Sequence, residues 1–237
     1  MKTLLISDVH IGYKYSRAAD AVKVLDNVKF DRLIMIGDIF DVSNMMSGRS
    51  YWDEHHTVFL KKVFKIAKTK EVIYVAGNHD FPLKYLEEYT SKIAGIHVCR
   101  KYTYVSGDKT ITCVHGDQYE NINKRIRRLG DFLYNIGLVM NQYINAVRRS
   151  FGLDYFSFSK WCKDHVKMFI SKSFNIEEKM IQDNADSDMI VFGHTHMPYV
   201  EDRTANTGSF VEIATYITEK NGKLKLHNLD EKVNDER

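Results

Sequence analysis

Five short clusters of acid, amide and imidazole side chains are the parts of this 237-residue chain best equipped for chemistry. They are Asp8-Val9-His10, Gly37-Asp38-Ile39-Phe40-Asp41, Gly77-Asn78-His79-Asp80, His115-Gly116-Asp117 and Gly193-His194-Thr195-His196. Asp, Asn and His offer oxygen and nitrogen donors, and no cysteine stands among them. That donor set favours Mn, Fe, Zn, Ni or Co over a structural cysteine–zinc site. Two such ions ~3.5–4 Å apart can hold a bridging hydroxide as nucleophile and neutralise a phosphoryl group in the transition state; metal binding lowers the pKa of water from ~16 to ~7. A carboxylate is the natural bridge, because both its oxygens coordinate. Asp8 and His10 are two residues apart, as are His194 and His196. In an extended segment that spacing puts both side chains on one side. The glycines permit tight turns and close approach of backbone to metal or phosphate.

Taken singly, each cluster has an ordinary reading. Asp-x-His arises by chance, Asp41 can cap a helix, and Gly77-Asn78 can be a turn. Paired histidines after an apolar run are rarer. All five in one chain, each closing an apolar run, point to one shared site.

Clusters spread from residue 8 to residue 196 need a scaffold that gathers them. Apolar runs at Lys2–Ser7, Arg32–Ile36, Glu71–Ala76 and Met189–Phe192 read as buried strands. Helical spacing is found over Ser16–Asn27 and Tyr51–Lys68 and is expected over Lys84–Ile93. Strands alternating with helices indicate βαβ units and a largely parallel, buried sheet. Ligands of such sheets collect outside the carboxyl ends of strands, where the clusters stand. His97–Val105 and Lys109–His115 read as two strands around Ser106-Gly107-Asp108. Tyr216–Glu219 and Lys223–Leu229 form a closing hairpin around Asn221-Gly222. Asn121–Arg149 and Ser157–Ala185 read as long helices, broken near Ser150-Phe151-Gly152. The expected plan is one α/β domain over 1–237 with a helical insertion, or cap, at about 120–185.

Composition sets the outer limits. With 44% hydrophobic and 27% charged residues, disordered and fibrous classes are excluded. No apolar stretch is long enough for a membrane span, and the amino-terminal run meets Asp8 and His10 too soon for a signal peptide. Cys99, Cys113 and Cys162 are odd in number and widely spaced, which points to a reducing, cytoplasmic compartment. The net charge of +3 is too small to define a polyanion binder. It is unevenly spread: between Tyr119 and Asn175 stand ten basic and four acidic residues, so that segment is +6 and the remainder −3.

In these five clusters the chain resembles the calcineurin-like metallophosphoesterases, whose blocks are DxH, GDxxD, GNHD, a histidine before a small residue, and GHTH. The resemblance implies an α/β fold, a four-layer α/β/β/α sandwich with two divalent metal ions, manganese first among the candidates. By position, Asp8, His10, Asp38 and His196 would hold one metal. Asp38 as bridge, with Asn78, His115 and His194, would hold the other. His79 would protonate the leaving oxygen or stabilise the transferring phosphoryl group, oriented by Asp80, with Asp41 behind the ligands. Asp117 reads as structural. The protein serine/threonine phosphatases are set aside, because Val42-Ser43 follows GDxxD where that group has Arg-Gly.

The cap would read the substrate. Its basic residues are interleaved with Tyr134, Tyr143, Tyr155, Phe156, Trp161 and other aromatics, which suits a phosphorylated molecule with an apolar or ring-bearing part. Alternatively, the aromatics form a small helical core and the charges its solvated face. Arg125, Arg128, Arg148 and Arg149 are the best placed to meet phosphate, since guanidinium binds it bidentately. The runs His115–Glu120, Leu129-Gly130-Asp131, Arg148–Leu153 and Tyr155–Ser159 resemble the UDP-2,3-diacylglucosamine diphosphatase branch of lipid A synthesis. That resemblance implies a pyrophosphate hydrolase acting on a lipid-linked nucleotide, with peripheral contact at the inner membrane face. Its best-described members carry arginine in the place of His79. Two other readings stand beside it: a phosphodiesterase or nuclease acting on nucleotides or nucleic acid, and a non-enzymatic scaffold, which predicts missing ligands.

Overall fold

Alternate residues of the apolar runs serve two different cores, which is why the runs are continuous rather than alternating. Along β1 (Lys2–Ile6), Leu4 and Ile6 join a cluster with Ala18, Ala21, Phe59 and Val63, while Leu5 joins a second cluster with Ile111, Cys113 and Val191. The same division splits Leu33 and Met35 from Ile34 and Ile36, and Val72 from Ile73 and Val75. The first core lies between helices and a sheet, the second between two sheets. Each fully buried Leu or Ile contributes roughly 1.5–3 kcal/mol.

The computed structural model describes residues 1–80, 91–119, 144, 147–148, 150–151 and 176–230. After β1 come α1 (Ala18–Asn27), β2 (Arg32–Ile36), α2 (Val42–Met46), α3 (Glu54–Ile66), β3 (Glu71–Val75), β4 (Ser91–Ile93), β5 (Ile96–Cys99), β6 (Lys101–Ser106) and β7 (Lys109–Val114). A 3-10 turn at Asp117–Tyr119 precedes α4 (Ile176–Asp183), β8 (Met189–Phe192), β9 (Tyr199–Val200), β10 (Thr204–Asn206), β11 (Thr215–Lys220) and β12 (Lys223–Asn228). The larger sheet has the order β12-β11-β1-β2-β3-β5-β4, and the smaller β6-β7-β8-β10-β9. β1, β2, β3 and β5 are parallel, as are β7, β8 and β10. The expected α/β class with two facing sheets is therefore present. The chain divides into two compact units, Met1–Asp117 with Met180–Arg237, and Gln118–Lys179.

α3 opens on a reciprocal cap: Asp53 Oδ1 accepts from His56 N at 3.1 Å, and Asp53 N donates to His56 Nδ1 at 3.4 Å. β11 and β12 turn at Asn221-Gly222, both with positive φ (52° and 76°), as a two-residue hairpin requires.

Two expectations about the elements are corrected. His97–Val105 is not one strand. β5 belongs to the larger sheet and β6 to the smaller, and the chain crosses between them at Arg100. Arg100 fixes that corner by donating to Ala76 O (2.8 Å) and to Asp117 Oδ2 (3.1 Å), which gives Asp117 its structural role. The helix expected to reach Ile93 does not, because Ser91–Ile93 is the edge strand β4, antiparallel to β5. The rest of that expected helix lies outside the described residues, as does most of the expected cap. Among the described residues, no helix is long and apolar enough to cross a membrane.

Candidate metal centre

The loops that follow β1 and β2 continue side by side after both strands end. Asp8 N donates to Gly37 O (3.0 Å), His10 N to Asp38 O (2.9 Å) and Asp41 N to Ile11 O (2.8 Å). Other links join the remaining clusters. His79 N donates to Asp38 Oδ1 (2.8 Å), His194 N to Asp8 Oδ2 (3.0 Å) and Gly193 N to His115 O (3.1 Å). All five clusters thus meet at one end of the two sheets.

Asp8 and His10 do not reach one side through an extended segment, as their spacing suggested. β1 ends at Ile6, and both residues have φ near 51°. Asp38 (51°), His194 (61°) and His196 (58°) are also left-handed; among the described residues only Ala94 and Asn221 join them outside glycine. L-residues adopt this region at some energetic cost, and such strain gathers at functional sites. Gly77 and Gly193 have a steric task. A Cβ on Gly77 would collide with Asp38 Oδ1, and one on Gly193 with Asp8 Oδ2 and Ser7 Oγ. These glycines make room for ligand side chains, rather than for a metal or phosphate directly.

The side chains form three groups whose donor atoms lie within 4.8 Å of one another: Asp8, His10 and His196; Asp38, His115 and His194; and His10, Asp41 and His79. His196 Nε2 stands 3.1 Å from Asp8 Oδ1, and His115 Nε2 3.1 Å from Asp38 Oδ2. Asp8 Oδ1, both ring nitrogens of His10, Asn78 Oδ1 and His115 Nε2 are buried without a hydrogen-bond partner. Buried polar atoms are normally paired. Donors ~3 Å apart that are not aligned to bond each other suit a shared cation at ~2.0–2.2 Å from each. The nitrogen and oxygen donor set therefore fits a pair of divalent ions.

Behind the donors, a second set of contacts fixes their orientation. His115 Nδ1 donates to Ile36 O (3.0 Å), and His196 Nδ1 to the Glu212 carboxylate (2.8 Å), leaving Nε2 of each facing a carboxylate in the centre. Asn206 holds the GHTH loop, donating to Gly193 O (2.7 Å) and Thr195 Oγ1 (2.9 Å). Glu212 and Asn206 were not foreseen, because neither stands in a spacing that signals chemistry.

The expected orienting role of Asp80 is also corrected. Asp80 is fully buried and accepts from Asp38 N (2.6 Å), Phe40 N (2.9 Å), Gly77 N (2.8 Å) and Tyr74 Oη (2.5 Å). It ties the loops after β2 and β3 together. The carboxylate beside His79 is Asp41, whose Oδ1 accepts from Nδ1 at 3.2 Å. Asp41 also caps α2 by accepting from Asn44 N (3.0 Å), and its Oδ2 lies 3.4 Å from His10 Nδ1. Asp41 thus caps a helix and also contacts the imidazoles of His79 and His10.

Electrostatics follow from this packing. Burial disfavours charge on His10, yet Asp41 and Asp8 raise its pKa to about 10. Burial likewise opposes charge on His115, and Asp38 raises it to about 10. Burial pushes Asp8 and Asp38 up, but the neighbouring imidazoles bring both below the usual carboxylate range. Asp80, with burial and the Asp38 charge against it, rises to about 6. Without cations, protons on imidazole would supply the positive charge that the carboxylates demand.

Of the residues expected in the cap, Arg148 is half-buried in the Gln118–Lys179 unit. Arg125, Arg128 and Arg149 lie outside the described residues.

The sequence matches the calcineurin-like phosphoesterase family over residues 1–198. No curated protein matches it. Similar solved structures include an archaeal phosphodiesterase, 13% identical with a TM-score of 0.48, over 97% of this chain and 100% of that one. Another is Yfce, a phosphoesterase from E. coli, 15% identical with a TM-score of 0.48, over 94% and 91%. Vacuolar protein sorting 29 from Cryptosporidium parvum is 16% identical with a TM-score of 0.45, over 96% and 95%.

Proposed function

The chain belongs to the calcineurin-like phosphoesterase family and is a hydrolase; from that premise we propose that it cleaves a phosphoester or pyrophosphate with two divalent cations, manganese first. The observation that carries this reading is the convergence of buried, unpartnered oxygen and nitrogen atoms on Asp8, His10, Asn78 and His115 with imidazole–carboxylate pairs 3.1 Å apart. Asp8, His10, Asp38 and His196 would hold one ion, and Asp38, Asn78, His115 and His194 the other. Ions bound there supply charge that polarises a phosphoryl oxygen and acidifies water.

The chain's own groups do the rest. Asp41 engages His79 Nδ1, which leaves Nε2 as the ring nitrogen free to carry a proton to a departing oxygen. Asp80 holds Asp38 N and Gly77 N, so the bridging carboxylate and the loop bearing Asn78 keep one register. Glu212 keeps His196 in the tautomer that directs Nε2 inward.

For the substrate we favour a lipid-linked nucleotide of the UDP-2,3-diacylglucosamine kind, bound with help from Arg125, Arg128, Arg148 and Arg149. The protein would then work in the cytoplasm, with peripheral contact at the inner membrane face. What supports this is the basic and aromatic segment from Tyr119 to Asn175. Nucleic acid is the competing substrate for the same charge. The test is hydrolysis by the manganese-loaded protein of an aryl phosphodiester, UDP-2,3-diacylglucosamine and single-stranded DNA. Preferred turnover of the lipid nucleotide supports the reading. Activity on DNA that falls steeply with salt, without a matching fall on the aryl diester, favours the nuclease. Turnover that persists in metal-free protein overturns both.

A further inference from the structure

We propose that the loop over residues 12–16 is an aromatic shelf that receives the nucleobase of the substrate, two ring-steps from the metal centre. The proposal rests on reading that centre as a phosphoester hydrolase and adds the part of the substrate lying next to the reacting phosphate.

A ladder of rings leads outward from His10. The Tyr13 ring packs edge-to-face on His10 with centroids 6.3 Å apart, and the Tyr15 ring packs edge-to-face on Tyr13 at 5.4 Å. Exposure rises along it: His10 is buried, Tyr13 half-buried and Tyr15 61% exposed. Lys14 Nζ lies 5.8 Å from the centroid of the Tyr15 ring. Tyr15 belongs to neither hydrophobic core. An exposed aromatic outside both cores adds little to folding.

The shelf is held rigidly. Tyr13 N donates to His10 O (3.0 Å), Ser16 N to Tyr13 O (3.1 Å), Ser16 Oγ to Val9 O (2.6 Å) and Tyr51 N to Gly12 O (3.0 Å). Preorganisation of this kind lowers the entropy lost on binding.

The chemistry selects the ligand. A flat, exposed phenol ring beside an ammonium group suits a planar heteroaromatic ring that stacks on one and offers a hydrogen-bond acceptor to the other. Stacking tolerates any base. An acyl chain would instead need an enclosed apolar channel, which an exposed tyrosine and lysine do not provide.

Calorimetry on the full-length, manganese-loaded protein with AMP, ribose 5-phosphate and decyl phosphate tests the shelf. AMP should bind roughly tenfold more tightly than ribose 5-phosphate. Tyr15→Ala should erase most of that preference, while Tyr15→Phe retains it. Equal binding of the two ligands, a preference that survives Tyr15→Ala, or decyl phosphate binding more tightly than AMP overturns the proposal. If the AMP preference holds but neither bis(p-nitrophenyl) phosphate nor UDP-2,3-diacylglucosamine is hydrolysed, the shelf stands and the proposed substrate reading fails.

Discussion

The two ends of the larger sheet both bury charged groups, and they do so in opposite ways. At the metal end, acids and imidazoles crowd together on left-handed backbone. At the other end the register aligns Glu219, Thr3, Arg32 and Glu71 across four neighbouring strands. Arg32 Nε meets Glu71 Oε2 at 2.5 Å, and the guanidinium carbon lies 4.6 Å from the centre of the Tyr104 ring. Glu219 Oε1 accepts from Ser106 Oγ (2.6 Å) and Gly222 N (2.9 Å). Arg32 Nη1 and Glu219 Oε2 are nevertheless buried without partners. An unpartnered polar atom alone therefore does not mark a ligand site. The metal end differs in having imidazole beside carboxylate without bonding geometry, left-handed ligand positions and glycines that clear space for ligand side chains.

Substitutions can break that contrast. Asp38→Ala should abolish metal uptake and lower turnover of an aryl phosphodiester by at least ~10³-fold, because the carboxylate proposed as the bridge would serve both ions. Elemental analysis beside the assay checks whether the two losses coincide. Asp41→Asn should reduce kcat by about 10–100-fold, through loss of orientation at His79 and His10. Asp80→Asn should instead appear mainly as lost stability in urea unfolding.

The opposite end should respond in the reverse sense. Arg32→Met is expected to destabilise the fold by about 1–3 kcal/mol while leaving kcat of the folded protein unchanged. This is less than the ~3–5 kcal/mol of a wholly buried pair, because the Glu71 side chain is half exposed. A change in kcat as large as that of Asp41→Asn would show that the ends are coupled.

The smallest expected effect is a pH response. His10 and His115 rise to about 10 in the metal-free protein, above their ordinary value of 6.5. A raised folded-state pKa contributes stability that is complete below the unfolded value and disappears as pH climbs through the folded one. Tm of the metal-free protein should therefore fall between about pH 7 and pH 10. With cations bound, the coordinating ring nitrogens would hold no proton, so the loaded protein should respond less. Thermal melts with EDTA and with manganese across that range test it; parallel curves would show that these imidazoles do not govern stability there.

Much of the centre was legible because its clusters follow strands whose continuous apolar character reflects burial on both faces. The strands β1, β2, β3 and β8 stood out for the same reason. The sheet change at Arg100 was hidden, since no glycine or proline marks it and both flanking segments favour strand. The two- and three-residue strands β9 and β10 are too short for periodicity to detect. Asp80 looked like the partner of His79 because the residues are adjacent. A tight turn separates their side chains, and the true partner comes from another loop. Contacts of that kind, like Glu212 with His196, depend on tertiary packing.

β1 lies between β2 and β11, so the strand that leads into the first candidate cluster is flanked by a segment that follows the fifth cluster in the chain. Phe210 N donates to Asp8 O (3.0 Å), and Ser7 Oγ lies 2.6 Å from Thr207 Oγ1. A nascent chain that has emerged from the ribosome through its fifth cluster still lacks the neighbours that fix its earliest carboxylate. Metal capture would thus wait for residues 207–217, and a translation product halted at residue 198 should carry every proposed ligand yet fail to retain the ions.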